Sequence, residues 1–163
     1  MPPSRKTTPS TPVPTTTDTS GAEHIDTTFM QTLLGYNARR AWLRVIELFA
    51  TRMAAYGLTS VDFSVMSLIL YNPGITSRQI CNALSVLPPN LVGKINTLEK
   101  NGLLTRRQHP DDGRAIGLYL TDSGKKLMLQ AEKTASDLEI EASSRLSAAE
   151  RKTLIRLLQK VYL

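Results

Sequence analysis

The sequence predicts a mainly α-helical chain that carries one small β-hairpin. Apolar residues recur at three- and four-residue spacing through most of the chain after residue 25, as helices with a buried face require. Three Ser or Thr residues stand three places ahead of an acid or Gln, at Thr59–Asp62, Thr76–Gln79 and Ser147–Glu150. That spacing lets each side chain bond the other's backbone N–H and so start a helix. Finally, "RRQHPDDGRAIGLYLT" at 106–121 places an alternating apolar run after a Pro-, Asp- and Gly-rich tip, which is the pattern of a hairpin.

The first twenty residues contain five Pro, seven Thr and three Ser. So little apolar surface cannot offset chain entropy, and residues 1–24 are expected to form a disordered tail. From Ile25 to about Tyr56 one long helix is expected. Met30, Leu34, Ala38, Ala41, Val45 and Leu48 make one apolar face, and Phe29, Leu33, Tyr36 and Leu43 a second. A helix apolar on two sides is enclosed by neighbours on both. Gly57 ends it.

Thr59 and Asp62 open a helix over 60–71 with Phe63, Met66 and Leu70 on one face, and "NPG" at 72–74 breaks it. Thr76 opens a short helix through Leu84, and a tight connection through Ser85 leads to Pro88-Pro89, where the second Pro suits a first helical position. Leu91, Ile95 and Leu98 then run along one face until Gly102. Two short helices in tight succession, followed by a hairpin, predict a helix-turn-helix with a wing. Thr121 caps a further helix to about Arg145. Ser147 opens the last one, where Leu154, Leu157, Leu158 and Val161 form an apolar stripe with little core left to cover it, so a homodimer is expected. The parts are then the tail (1–24), a long N-terminal helix (25–57), the winged lobe (58–121) and C-terminal dimerisation helices (122–163).

Charge is local. The net +6 favours a polyanionic partner, and eight Lys or Arg against four acids fall between Thr76 and Lys126. The opposite face of the 88–101 helix carries Pro89, Asn90, Gly93, Lys94 and Thr97. Helices of this kind present such residues to base edges of duplex DNA, where Asn pairs with adenine. Asn90 is expected on bases, with Lys94 and Thr97 nearer phosphates. Gly93 costs about 1 kcal/mol in a helix interior, which close approach to a groove wall would explain, as would simple drift. In the wing, Leu104 is expected to meet Leu118 and Leu120. Arg106 and Arg107 lie beside the DNA backbone, and Arg114 reaches a minor groove. Asp111 and Asp112 are structural, forming the turn and an ion pair to Arg114 or Arg107. His109 is a turn residue.

Other classes fit less well. No apolar run of eighteen residues predicts a membrane span, and no signal-like segment opens the chain, so a cytoplasmic protein is expected. One cysteine excludes an internal disulfide. There is no metal-ligand cluster, phosphate loop or nucleophile motif, so neither catalysis nor a cofactor is expected. A protein-docking module with a basic face is the alternative to a DNA binder.

The stretch "LEKNGLLTRRQHPDDGRAIGLYLTDSGKKL" resembles the MarR (multiple antibiotic resistance regulator) family of bacterial winged-helix transcription factors. The likeness rests on the Leu-Glu…Gly-Leu helix exit, Asp112-Gly113-Arg114 in the wing, and Leu120-Thr121…Gly124. It implies a dimer with intertwined terminal helices, a palindromic operator and a repressor often released by a small-molecule effector. Pro88-Pro89-Asn90 departs from the Ser, Thr or Arg common at that place, so operator preference does not transfer. On the first helix, Tyr36, Arg40, Arg44 and Glu47 form a polar stripe beside Trp42, suited to an aromatic carboxylate; the resemblance would bring Phe63 and Met66 to Arg40 or Arg44. An Arg44–Glu47 pair is the competing reading. Cys81 lies outside the first helix, where some MarR-like proteins sense oxidants, and is expected to pack, with redox response the alternative.

Overall fold

The structure is a computed structural model that describes residues 25–109 and 115–163. The 1–24 tail and the wing tip with Asp111, Asp112 and Arg114 lie outside the described residues.

The long first helix is not continuous. Helix α1 (Thr28–Gln31) is followed by a break at Thr32 and Leu33, then α2 (Leu34–Met53) and a 3-10 turn (Ala54–Tyr56). Helical spacing alone did not register the polar side chains that compete for the backbone here. The Thr32 hydroxyl donates to Phe29 O at 2.7 Å, and Asn37 Nδ2 donates to the carbonyls of Gln31 and Leu33, both at 2.8 Å. Such local bonds offer the chain an alternative to helix. Gly57 closes the turn with φ +65°.

Helices α3 (Ser60–Tyr71), α4 (Ser77–Leu84) and α5 (Pro88–Lys100) follow the expected spans. Both expected capping boxes form, at Thr59/Asp62 and Thr76/Gln79. Helix α5 starts at Pro88 and not Pro89, with both prolines in the first turn. Their missing N–H groups cost nothing there, because first-turn donors have no intrahelical partner. Strands β1 (Leu104–Gln108) and β2 (Ile116–Leu120) pair antiparallel, with Leu104 opposite Leu120 and Arg106 opposite Leu118. Unforeseen is a third, short ladder segment: Gly74 N donates to Leu118 O at 2.9 Å and Leu118 N to Ile75 O at 3.0 Å. Gly74 takes φ +91°, and a Cβ on Gly117 would press on Gly74 backbone, so both glycines let this edge approach.

Helix α6 (Asp122–Ala142) begins at the expected cap, Thr121, and stops three residues short of Arg145. Helix α7 (Ala148–Tyr162) starts with the Ser147/Glu150 box. There the Ser147 hydroxyl, then its backbone N–H, hold the Glu150 carboxyl below the usual carboxylate range. This cap supports α7 above the unfolded carboxyl pKa and is lost as pH falls through the lower folded value.

One core joins α2, α3, α4, α5, the sheet and α6: Met53, Val65, Met66, Ile69, Ile80, Leu91, Ile95, Leu104, Leu118, Met128 and Leu138 are fully or almost fully buried. The terminal helices do not share it. Helix α7 has no buried residue, and Phe29, Leu34, Trp42, Leu154, Leu157 and Val161 are exposed. Among the described residues no single helix is long and apolar enough to cross a membrane, and no His, Cys, Asp and Glu group suits a metal.

Candidate nucleic-acid interface

Helix α5 is set by its inward row. Leu91, Ile95 and Leu98 are buried. At roughly 100° per residue, Gly93 falls opposite them, with Pro89 and Asn96 in adjoining rows. All three are exposed, as are Asn90 and Thr97. A Cβ built on Gly93 meets nothing within 4 Å, so the fold itself does not require glycine there.

Lys94, Arg106 and Arg107 are held near this face, whereas Lys100, exposed at the C-terminal end of the outward row, has no ion-pair partner among the described residues. Lys94 turns to the start of α3, where Nζ lies 3.1 Å from Asp62 Oδ1 and donates to Thr59 Oγ1 at 3.2 Å. It is bonded to the capping box that starts α3, a partner that helical spacing within α5 could not disclose. Arg106 reaches from β1 to Glu99, with which it forms a close ion pair, and donates to Asn96 Oδ1 at 2.6 Å. Arg107 sits over the Tyr119 ring, 5.3 Å from its centroid. These contacts join the root of the wing to both α5 and the second strand. His109 N donates to Ala115 O at 2.9 Å, just beyond the ends of the two strands. A cleft of about 560 Å³ runs between α5 and the α3 start, lined by Asp62, Pro89, Asn90, Gly93, Lys94 and Thr97 among others. Sequence reasoning placed Pro89, Asn90, Gly93 and Thr97 on one accessible side, and they lie there. It missed Val92, which flanks the outward row at 49% exposure, and Asn96.

Two of the expected effector residues are occupied within the chain. Met66 is completely buried, so it has no surface to give a ligand. Phe63 packs edge-on against Phe49, with centroids 5.4 Å apart. Arg44 is instead paired with Glu47 at 3.8 Å. Cys81 is buried in the core cluster, as the packing reading expects.

Comparison with known proteins agrees with the architecture. The MarR family profile matches residues 58–116, the winged lobe. A Thauera aromatica protein whose name assigns it to transcriptional regulation of the hcr operon is 32% identical over 130 residues, covering 79% of this chain and 78% of that one. The transcriptional repressor CouR, solved on a 23-mer DNA duplex, superposes with a TM-score of 0.79 at 33% identity, covering 86% of this chain and 99% of CouR. CouR has also been solved with p-coumaroyl-CoA (TM-score 0.74, 33% identity, 85% and 97% coverage). The Mycobacterium tuberculosis protein Rv2887 with salicylic acid gives a TM-score of 0.67 at 25% identity, with 79% and 96% coverage. Winged lobe, capped helices and flanking helical arms thus fall into one known pattern, and the chain belongs to the MarR family of DNA-binding transcriptional regulators.

Proposed function

We propose that the chain is a homodimeric repressor that places two α5 helices and two wings on a palindromic operator in the cytoplasm, and that a small acidic effector, aromatic in part, releases it. The observation that carries the DNA-binding face is Gly93. The free chain has room for a methyl group there and would gain helix propensity from one. Glycine at the centre of the outward row therefore serves something that comes close from outside, and a groove wall fits. Pro89, Asn90 and Thr97 line the same approach, Arg106 and Arg107 flank it, and Arg114 is assigned to the minor groove with Asp112 bracing the tip. The release by an effector is supported by CouR, solved with both a DNA duplex and p-coumaroyl-CoA, and by Rv2887 with salicylic acid. Tyr36, Arg40 and Arg44 are offered to that ligand as an exposed stripe on α2, completed by other groups than Met66.

The test is a mobility-shift assay on the DNA upstream of the protein's own gene. Gly93→Ala should raise the melting temperature slightly, by the equivalent of up to about 1 kcal/mol, yet weaken operator binding at least tenfold. Equal affinity for variant and wild type would remove α5 from the groove. Adding salicylate or an aromatic acyl-CoA thioester to the same assay should free the DNA.

Lys94 is given a different role from phosphate contact. Its bonds to Asp62 and Thr59 fix the pitch of α5 against α3. Lys94→Met should lower affinity while leaving the dependence of log K on log salt unchanged. A slope smaller by about one would mean that Lys94 neutralises a phosphate after all.

A further inference from the structure

The outward face of α5 is poor in free hydrogen-bonding groups. Pro89 has neither a backbone N–H nor a polar side chain, and Gly93 has no side chain. The Thr97 hydroxyl donates to Gly93 O within its own helix at 3.0 Å. Asn96 Oδ1 accepts from Arg106, and the Lys94 ammonium is held by Asp62. Among the described residues, Asn90 near the start of this face and Lys100 at its C-terminal end have polar side chains without a hydrogen bond, and Asn96 keeps its Nδ2 donors. Toward the N-terminal end of the helix this leaves little beyond Asn90 with which to sort base pairs by donor and acceptor pattern.

What the face does offer is apolar. Val92 is 49% exposed beside the outward row, Leu87 is 69% exposed just before the helix, and Pro88 and Pro89 are exposed in its first turn. A single exposed valine means little. Here, however, the apolar groups adjoin the one helical position kept free of side chain, on the end of the helix that enters a groove. The major groove carries one apolar base feature, the C5-methyl of thymine, and it marks both the identity and the strand of an A·T pair.

We propose that Pro89 and Val92 are specificity-determining residues that read thymine C5-methyl groups in each half-site, with Asn90 supplying the polar contact. This rests on the DNA-binding reading above and adds what the helix recognises. Thymine and uracil present the same hydrogen-bonding edge and differ only in that methyl, so the chemistry can be isolated.

The bound upstream fragment is amplified once with dTTP and once with dUTP in its place, and the dissociation constants are compared at fixed salt. Wild-type protein should bind the thymine fragment roughly tenfold or more tighter, since each methyl removed from water contributes about a fourfold factor and two half-sites contribute together. Val92→Ala, at an exposed helical position whose folding is checked by thermal melting, should bring the thymine-to-uracil ratio most of the way to one, and Pro89→Ala should lower it. Equal wild-type affinity for both fragments overturns the proposal. So does a ratio that persists undiminished in both variants, because the methyl would then act through DNA shape. Failure of wild-type protein to shift even the thymine fragment overturns the DNA-binding reading itself, and this inference with it.

Discussion

Gly124→Ala is expected to destabilise the protein by about 3 kcal/mol, at the upper end of what overpacking ordinarily costs. Gly124 is the third residue of α6, and its N–H donates to the Thr121 hydroxyl at 3.1 Å. A Cβ there would overlap the carbonyl oxygen of Leu103. That carbonyl cannot swing away, because it accepts from Thr121 N at 3.1 Å, while the Thr121 hydroxyl donates to Gly102 O at 2.6 Å. The conflict is backbone against backbone, at the corner where α5 gives way to β1 and β2 to α6. Alanine gains up to about 1 kcal/mol of helix propensity, which offsets only part of the cost. For a chain of this size the melting temperature should fall by roughly 10 °C, measured at one protomer concentration because the proposed association would contribute to stability. A fall of less than about 2 °C would show that the corner yields.

Leu157→Asp should leave the chain monomeric and operator binding at least a hundredfold weaker. Leu154, Leu157, Leu158 and Val161 lie on a helix with no buried residue, and the exposed Phe29, Leu33 and Leu34 lie near the other end of the chain. Burying each such side chain contributes roughly 1.5–3 kcal/mol, so the terminal helices leave much stabilisation unused in a lone protomer. An aspartate placed in their contact would be an unpaired buried charge, costing about 3–5 kcal/mol. A monomer also loses the effective-concentration gain of two linked half-site contacts, on the order of 10²–10⁴. Sedimentation equilibrium reads the first effect and the shift assay the second; a dimeric variant would put the contact elsewhere.

Much of this architecture was legible because it is local. Capping boxes at Thr59, Thr76 and Ser147 need only residues three apart, and the inward row of α5 needs only helical spacing. What escaped depends on partners distant in sequence. Lys94 had a free look on its helix until α3 brought Asp62 to it, and Arg106 until α5 presented Glu99 and Asn96. The break at Thr32 was local, yet it turns on hydroxyl and amide bonds that apolar periodicity ignores. Of the expected effector residues, Met66 escaped for a different reason: its residue type suited the chemistry, but the core needed it.

Arg106 and Arg107 tie the β-finger to α5 and to its own second strand, through Glu99, Asn96 and Tyr119. Probe and finger are thereby coupled within one lobe. In the dimer proposed above, control would then act on the distance between two such lobes, set by the helices that carry them. A regulator wired this way would tune its grip by stance, and a small molecule would not need to touch the surface that touches the operator.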